Sequence, residues 1–224
     1  MTLTIGILCF PAVQQLDLTA PYEIFASAAD TKVHLVWKTT QPLRSATGLM
    51  LIPDTTFADA PAFDVLCVPG GVGTNDLVTD EETLDFLRRQ AATARYVTSV
   101  CTGALVLGAA GLLRGKRATT HWNAVDLLAR FGAVATPGRV VRDGSLFTAG
   151  GVTSGIDFAL VVLAEIAGRD EAELVQLCVE YAPEPPFASG TPDEARPRIL
   201  AAARERLSKS RAAREAILAA LLDS

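Results

Sequence analysis

The sequence predicts an α/β domain, a three-layer sandwich with a largely parallel central sheet and helices on both faces, and two observations predict it. Short β-branched runs alternate with helical patterns, as βαβ units require. Several of those runs are apolar at nearly every position, which suits strands buried on both faces. With 224 residues, 50% of them apolar and 20% charged, the chain has material for one full-sized core.

Leu3 to Cys9 reads as the first strand, and Lys32 to Lys38, Asp64 to Val68 and Arg95 to Val100 as the next three. Between the first two, Thr19-Ala20-Pro21 opens a helix that runs through about Ala29. Asp80 caps another, with Glu81 and Glu82 in a first turn where carboxylates complement the helix dipole. Thr102 to Ala110 is a third helix, and Asn123 to Phe131 a fourth that Gly132 ends. Asp143-Gly144 has the chemistry of a hairpin turn between two short strands. Two more helices follow, Ser154 to Ala167, ended by Gly168, and Glu171 to Tyr181. Residues 1–182 therefore read as one α/β domain. In residues 183–224 a Pro-rich connector, Pro183 to Pro197, leads into a helix from Arg198 to Leu222. Ile199, Leu200, Ala203, Leu207, Ile217, Leu218 and Leu221 fall there at roughly helical spacing, so it is expected to pack on the domain or on a second subunit.

Composition narrows the function. A net charge of -5 without a basic run gives no electrostatic footprint for phosphate backbones, so no nucleic-acid partner is expected. The first residues, Met1 to Cys9, lack a basic leader and a small-residue cleavage site. The most apolar later stretch, Phe158 to Ile166, is too short to span a bilayer and carries Glu165, so no membrane partner is expected. Cys9, Cys67, Cys101 and Cys178 show neither metal-type spacing nor a disulfide pattern, and a reducing, cytoplasmic setting is the expectation.

One cysteine stands where a strand ends and a Gly-containing helix begins, in Val97-Thr98-Ser99-Val100-Cys101-Thr102-Gly103-Ala104. Such a turn holds a side chain at the C-terminal edge of the sheet, where helix amides favour a thiolate. Cys9 and Cys67 lie within strand patterns and Cys178 on an amphipathic helix, so each reads as a small, buried, inert residue. A second turn, Val68-Pro69-Gly70-Gly71-Val72-Gly73, follows another buried strand. Gly71 and Val72 can offer backbone N–H donors to charge developing beside Cys101, or the glycines are simple punctuation. The stretch Thr148 to Gly155, with Gly150 and Val152, can line the pocket or merely start a helix. Two acids follow the first strand. Asp17 sits in the loop Phe10 to Leu18 at the sheet edge expected to carry Cys101, whereas Glu23 is inside a helix. Helix-start chemistry explains Asp17 equally well from spacing alone. His34 alternates with apolar residues in a strand and reads as structural, while His121 stands at the end of a short strand and is ambiguous. Two histidines, with no late His-x-Glu pair, leave little for a hydrolytic triad and less for a metal site.

Taken together, Asp17 after the first strand, Val68-Pro69-Gly70-Gly71, Val100-Cys101-Thr102-Gly103-Ala104 and Ala118-Thr119-Thr120-His121-Trp122 resemble the ThiJ/PfpI superfamily over residues 3 to 181. That superfamily belongs to the class I glutamine amidotransferase-like fold, so the resemblance implies a flavodoxin-like sandwich. It also implies a homodimer, an elbow cysteine in strained backbone geometry, and no cofactor. Most members have a glutamate hydrogen-bonded to the elbow cysteine. Asp17 in that place, with the tail Glu180 to Phe187, resembles the isocyanide-hydrating branch instead. The Thr-His-Trp stretch is shared with regulators that carry an AraC-type module. After Tyr181 only a connector and one long helix remain, too little for paired helix-turn-helix units.

For this branch the resemblance implies a hydro-lyase that converts a small isocyanide and water to an N-substituted formamide. Cys101 adds to the isocyanide carbon to give a thioimidate, and Asp17 serves as acid and then base. Thr102 places its N–H or hydroxyl near the intermediate. Two rival readings stay open: glyoxalase- or deglycase-like action on small dicarbonyls, and non-enzymatic oxidation of Cys101 to a sulfinate in a stress sensor.

Overall fold

The computed structural model of the chain describes residues 2–222. Strand β1 (Leu3–Leu8) buries Ile5, Ile7 and Leu8 almost completely. Helix α1 (Gln15–Ala26) begins at Gln15 rather than at Thr19 and keeps Pro21 in its interior. Proline denies the Asp17 carbonyl its helical donor one turn back. Leu18, Ile24 and Phe25 are nonetheless buried along the same helix, with the Phe25 ring edge-on to Phe158, so tertiary packing carries the helix through the proline. Asp17 consequently lies in the first turn of α1 and not in a loop.

Strand β2 (Thr31–Trp37) is followed by a small antiparallel ladder of β3 (Leu43–Arg44) and β4 (Met50–Leu51), then by β5 (Thr55–Thr56). Strand β6 (Val65–Val68) is buried at every position. After the short helix α2 (Thr74–Leu77), α3 (Glu81–Ala91) starts behind Asp80 as expected. The Asp80 carboxylate accepts from the Thr83 hydroxyl at 2.7 Å and from Lys38 Nζ at 2.8 Å rather than from a backbone amide of the helix. Strand β7 (Tyr96–Val100) runs into α4 (Gly103–Ala109). Strands β8 (Arg117–Ala118) and β9 (Val134–Ala135) pair around a 3₁₀ helix, Trp122–Phe131, which Gly132 ends in left-handed geometry. The hairpin of β10 (Val140–Asp143) and β11 (Leu146–Ala149) turns at Gly144, and α5 (Ser154–Ala167), α6 (Arg169–Cys178) and α7 (Pro197–Leu222) complete the described chain.

The main sheet has the order β10-β11-β7-β6-β1-β2-β5, parallel throughout except for β10. One face is covered by α1 and α5, the other by α3, α4 and the 3₁₀ helix, which gives the three layers. Helix α7 lies on the 3₁₀ helix and α2 of the same chain, with Leu218 fully buried. From β1 the chain moves to β2 on one side, and later strands build outward from β6 on the other. The crevice beyond the carboxyl ends of β1, β6 and β7 is where such a sheet collects a ligand. No helix among the described residues is long and apolar enough to cross a membrane.

Candidate active site

Three strand ends converge in that crevice. The segment after β7 supplies Cys101, whose φ of 53° places a non-glycine residue in the left-handed region. The surroundings hold it there. Its N–H donates to the carbonyls of Gly150 at 2.8 Å and Ala149 at 3.1 Å, and its own carbonyl accepts from the Thr120 hydroxyl at 2.6 Å. A strained residue fixed from several sides is the arrangement found at nucleophile elbows.

The first turn of α1 brings Asp17 beneath Cys101. Asp17 is 0% exposed, and its Oδ2 accepts from the Gly70 N–H at 2.9 Å. Oδ1 is buried without a nitrogen or oxygen donor, and the Cys101 thiol is the side chain that interacts with the carboxyl. Gly70 has to be glycine, because a Cβ there would stand 2.6 Å from Thr102 N, 2.7 Å from Asp17 Oδ2 and 2.8 Å from Cys101 Cβ. At Gly103 a Cβ would collide with the Val68 carbonyl, so the second glycine lets α4 start against β6.

Electrostatics follow from this burial. Desolvation drives the Asp17 carboxyl from an ordinary 3.8 up to about 7, against the lowering pull of the Gly70 and Cys101 hydrogen bonds. Desolvation, and then the Asp17 charge, push the Cys101 thiol well above its usual range, while the Thr102 amide and hydroxyl pull it part of the way back. Above about pH 7 the two groups therefore hold one proton and one negative charge between them. Burial first, and then the Asp54 charge at Cys9 and the Asp17 charge at Cys67, push both inert cysteines up to about 12, against a Thr98 hydrogen bond at Cys67. Cys178 departs from the expected burial. It is exposed at the end of α6, whose packed side is made by Ala172 and Val175.

The other anticipated residues divide. Thr102 contacts Cys101, but its hydroxyl also accepts the Gly71 N–H at 3.1 Å and meets Thr74 Oγ1 at 3.1 Å. The Gly71 amide is thus taken by a side chain and not offered to a reacting group. Gly150 acts through its carbonyl on the Cys101 N–H. Val72 and Val152 line a cavity of about 280 Å³ with Cys101 and His121. His121 begins the 3₁₀ helix, and its Nδ1 accepts the Asn123 N–H at 3.2 Å, which leaves the neutral ring's proton on Nε2. Burial, and then the Arg214 charge, lower its pKa. Glu23 lies farther along α1, and His34 hydrogen-bonds Thr55 at 2.8 Å in the sheet. The sequence did not single out Gly70, Thr120, Asn75 or Arg214. Gly70 sat within a quoted motif, whereas Arg214 looks like one more cation on a charged helix.

A model of the DJ-1/PfpI family matches residues 4–165. The isonitrile hydratase of Pseudomonas putida is 62% identical over 210 residues, which are 94% of this chain and 92% of that protein. The crystal structure of a ThiJ/PfpI family protein from Pseudomonas syringae superposes with a TM-score of 0.94 at 40% identity, covering 97% of this chain and 91% of the other. Drosophila melanogaster DJ-1beta shares the fold, with a TM-score of 0.75 at 23% identity over 82% of this chain and 100% of its own.

Proposed function

The chain belongs to the DJ-1/PfpI family, and from that premise we propose that it hydrates isocyanides to N-substituted formamides at Cys101. The observation that carries the reading is the buried Asp17 carboxyl beside the elbow sulfur, with one oxygen fixed by Gly70 and the other unpaired. A carboxyl whose pKa sits near neutrality can give and take a proton at almost no cost, which is what a reaction with several proton moves needs.

In the reactive arrangement the shared proton is on Asp17 Oδ1 and the charge on Cys101 Sγ. The sulfur lone pair forms a bond to the terminal carbon of R–N≡C, and Asp17 protonates that carbon, giving the thioimidate R–N=CH–S–Cys101. Water then adds to the same carbon. Asp17 accepts a proton from the water and passes it to nitrogen, leaving R–NH–CH(OH)–S–Cys101. On collapse Asp17 takes the hydroxyl proton, the C–S bond breaks, and R–NH–CHO departs with thiolate and carboxylic acid restored. Thr102 N–H steadies the sulfur as charge comes and goes. Val72 and Val152 give the substituent apolar surface, and a larger cavity of about 710 Å³ adjoins at His121 and Val152.

Acid-quenching the protein during turnover with cyclohexyl isocyanide tests this chemistry. Mass spectrometry is expected to find an adduct of the mass of the isocyanide on the Cys101 peptide. An unmodified Cys101 throughout steady turnover would rule out the covalent route. We place the functional unit as a homodimer in a reducing cytoplasm, with residues 1–182 as its α/β domain and 183–224 as a Pro-rich connector and a C-terminal helix that packs on the domain. A solution mass of one chain by light scattering would contradict the dimer.

A further inference from the structure

Arg214 on α7 is only 6% exposed, and among the described residues it has no carboxylate partner. Its Nε–H donates to the Asn75 side-chain oxygen at 3.0 Å. The N–H groups on its two terminal nitrogens are not used by that bond. Removing such a cation from water is costly unless a counter-charge is close. Asp126 of the 3₁₀ helix and Glu215 of α7 are already engaged by the neighbouring Arg211, which binds Asp126 through both terminal nitrogens at 2.8 and 2.6 Å and Glu215 at 2.7 Å. The remaining group that can supply a counter-charge lies across the cavity. Arg214 lines the same space as Cys101, and the Cys101 charge acts on it. Asp17, 0% exposed, meets the sulfur from α1, the opposite side to Arg214 on α7.

We infer that Arg214 is the counter-ion of the elbow sulfur: facing Cys101 from α7, its guanidinium draws the negative charge of the Cys101–Asp17 pair onto Sγ and so raises the thiolate population. The inference rests on Cys101 being the nucleophile and is independent of the electrophile it attacks. Helix α7 lies beyond residues 4–165, so this cation is added to the family's elbow from outside the matched segment. The titratable and charged groups that face Cys101 are Asp17 from α1, His121 from the start of the 3₁₀ helix and Arg214 from α7; those that face Arg214 are Cys101, His121 and Arg211. Asn75 on α2 sets the orientation of the guanidinium and makes the arrangement adjustable by substitution.

The test is the pH dependence of Cys101 alkylation by iodoacetamide in the full chain, read on the Cys101 peptide by mass spectrometry. Arg214→Met is expected to move the midpoint up by about one pH unit, or roughly tenfold less thiolate at a fixed pH below it. Arg214→Lys keeps the charge and stays near wild type. Asn75→Asp retains Arg214 but gives it a carboxylate, and it shifts the midpoint in the same direction as Met. Arg211→Met removes the ion pairs to Asp126 and Glu215 and the bond to the Asn123 carbonyl, leaves Arg214 in place, and is expected to leave the midpoint unchanged. A wild-type midpoint in both Arg214→Met and Asn75→Asp overturns the inference, as does a shift in Arg214→Lys as large as in Arg214→Met. Should Arg214→Met fail to fold, Asn75→Asp decides alone. If wild-type Cys101 is not alkylated at any pH, the nucleophile reading itself fails, and the inference falls with it.

Discussion

Asp17→Asn preserves the side chain's shape and an acceptor for Gly70, and it removes the proton that moves. Because Asp17 is raised from 3.8 to about 7 in the folded chain, its contribution to stability is fully present below 3.8 and is lost as pH rises through about 7. Within that window each pH unit takes about 1.4 kcal/mol from the wild type relative to the variant. Between about pH 5 and pH 7 the difference amounts to ~2 kcal/mol, allowing for half-ionisation at the upper end. Asp17 is 0% exposed, so solvent screening does not reduce this figure. Asp80, Asp126 and Asp143, whose pKa values are lowered by their partners, titrate alike in both proteins and cancel in the comparison. Urea unfolding of both proteins from about pH 5 to about pH 8 supplies the measurement. A constant difference in unfolding free energy across that range would mean that Asp17 is not protonated in the folded chain at about pH 5 to 7. The same variant is expected to lose about 10²- to 10⁴-fold in formamide production, and activity within twofold of wild type would mean that Asp17 transfers no proton.

Other consequences concern the elbow and its supports. Raising the pH through about 7 removes one of two protons from the Asp17–Cys101 pair, so kcat/KM should climb there, and Asp17→Asn should abolish the inflection in a pH–rate profile. Gly70→Ala places a methyl group among Thr102 N, Asp17 Oδ2 and Cys101 Cβ; about 1–3 kcal/mol of destabilisation by urea unfolding should accompany the loss of most activity. Thr120→Val deletes the 2.6 Å bond to the Cys101 carbonyl and is expected to cost about 1–3 kcal/mol, with unchanged stability arguing that this bond does not hold the strained turn. Leu218→Ala should cost about 2–5 kcal/mol if α7 packs on the domain as described, and a shift near zero in thermal unfolding would contradict that packing.

The parallel strands were legible because burial on both faces leaves continuous apolar runs. Leu3 to Cys9 and Arg95 to Val100 match β1 and β7 to within one residue at each end. The two-residue ladder β3–β4 and strand β9 were invisible, since two residues make no period, although the short strand before His121 was read; β5 is held by its pairing to β2 rather than by its composition. Pro21 misled because proline favours a helix start, yet here the burial of Leu18 and Phe25 outweighs one missing hydrogen bond. Cys101 was readable from its strand-to-helix junction. Its partners were less so, because hydrogen bonds such as Gly70 to Asp17 join residues far apart in the chain. Arg214 was the hardest to see. Among Lys209, Arg211 and Arg214 nothing in the sequence distinguishes the arginine that points inward, and only the position of α7 over α2 and the 3₁₀ helix selects it.

The most direct test of isocyanide hydration at Cys101 is quantification of N-cyclohexylformamide formed from cyclohexyl isocyanide by the purified chain and by Cys101→Ala, with methylglyoxal as a competing substrate. Catalytic formamide production that disappears in Cys101→Ala, without methylglyoxal consumption, is the predicted result. Methylglyoxal consumption without formamide, or formamide production that survives in Cys101→Ala, would contradict it.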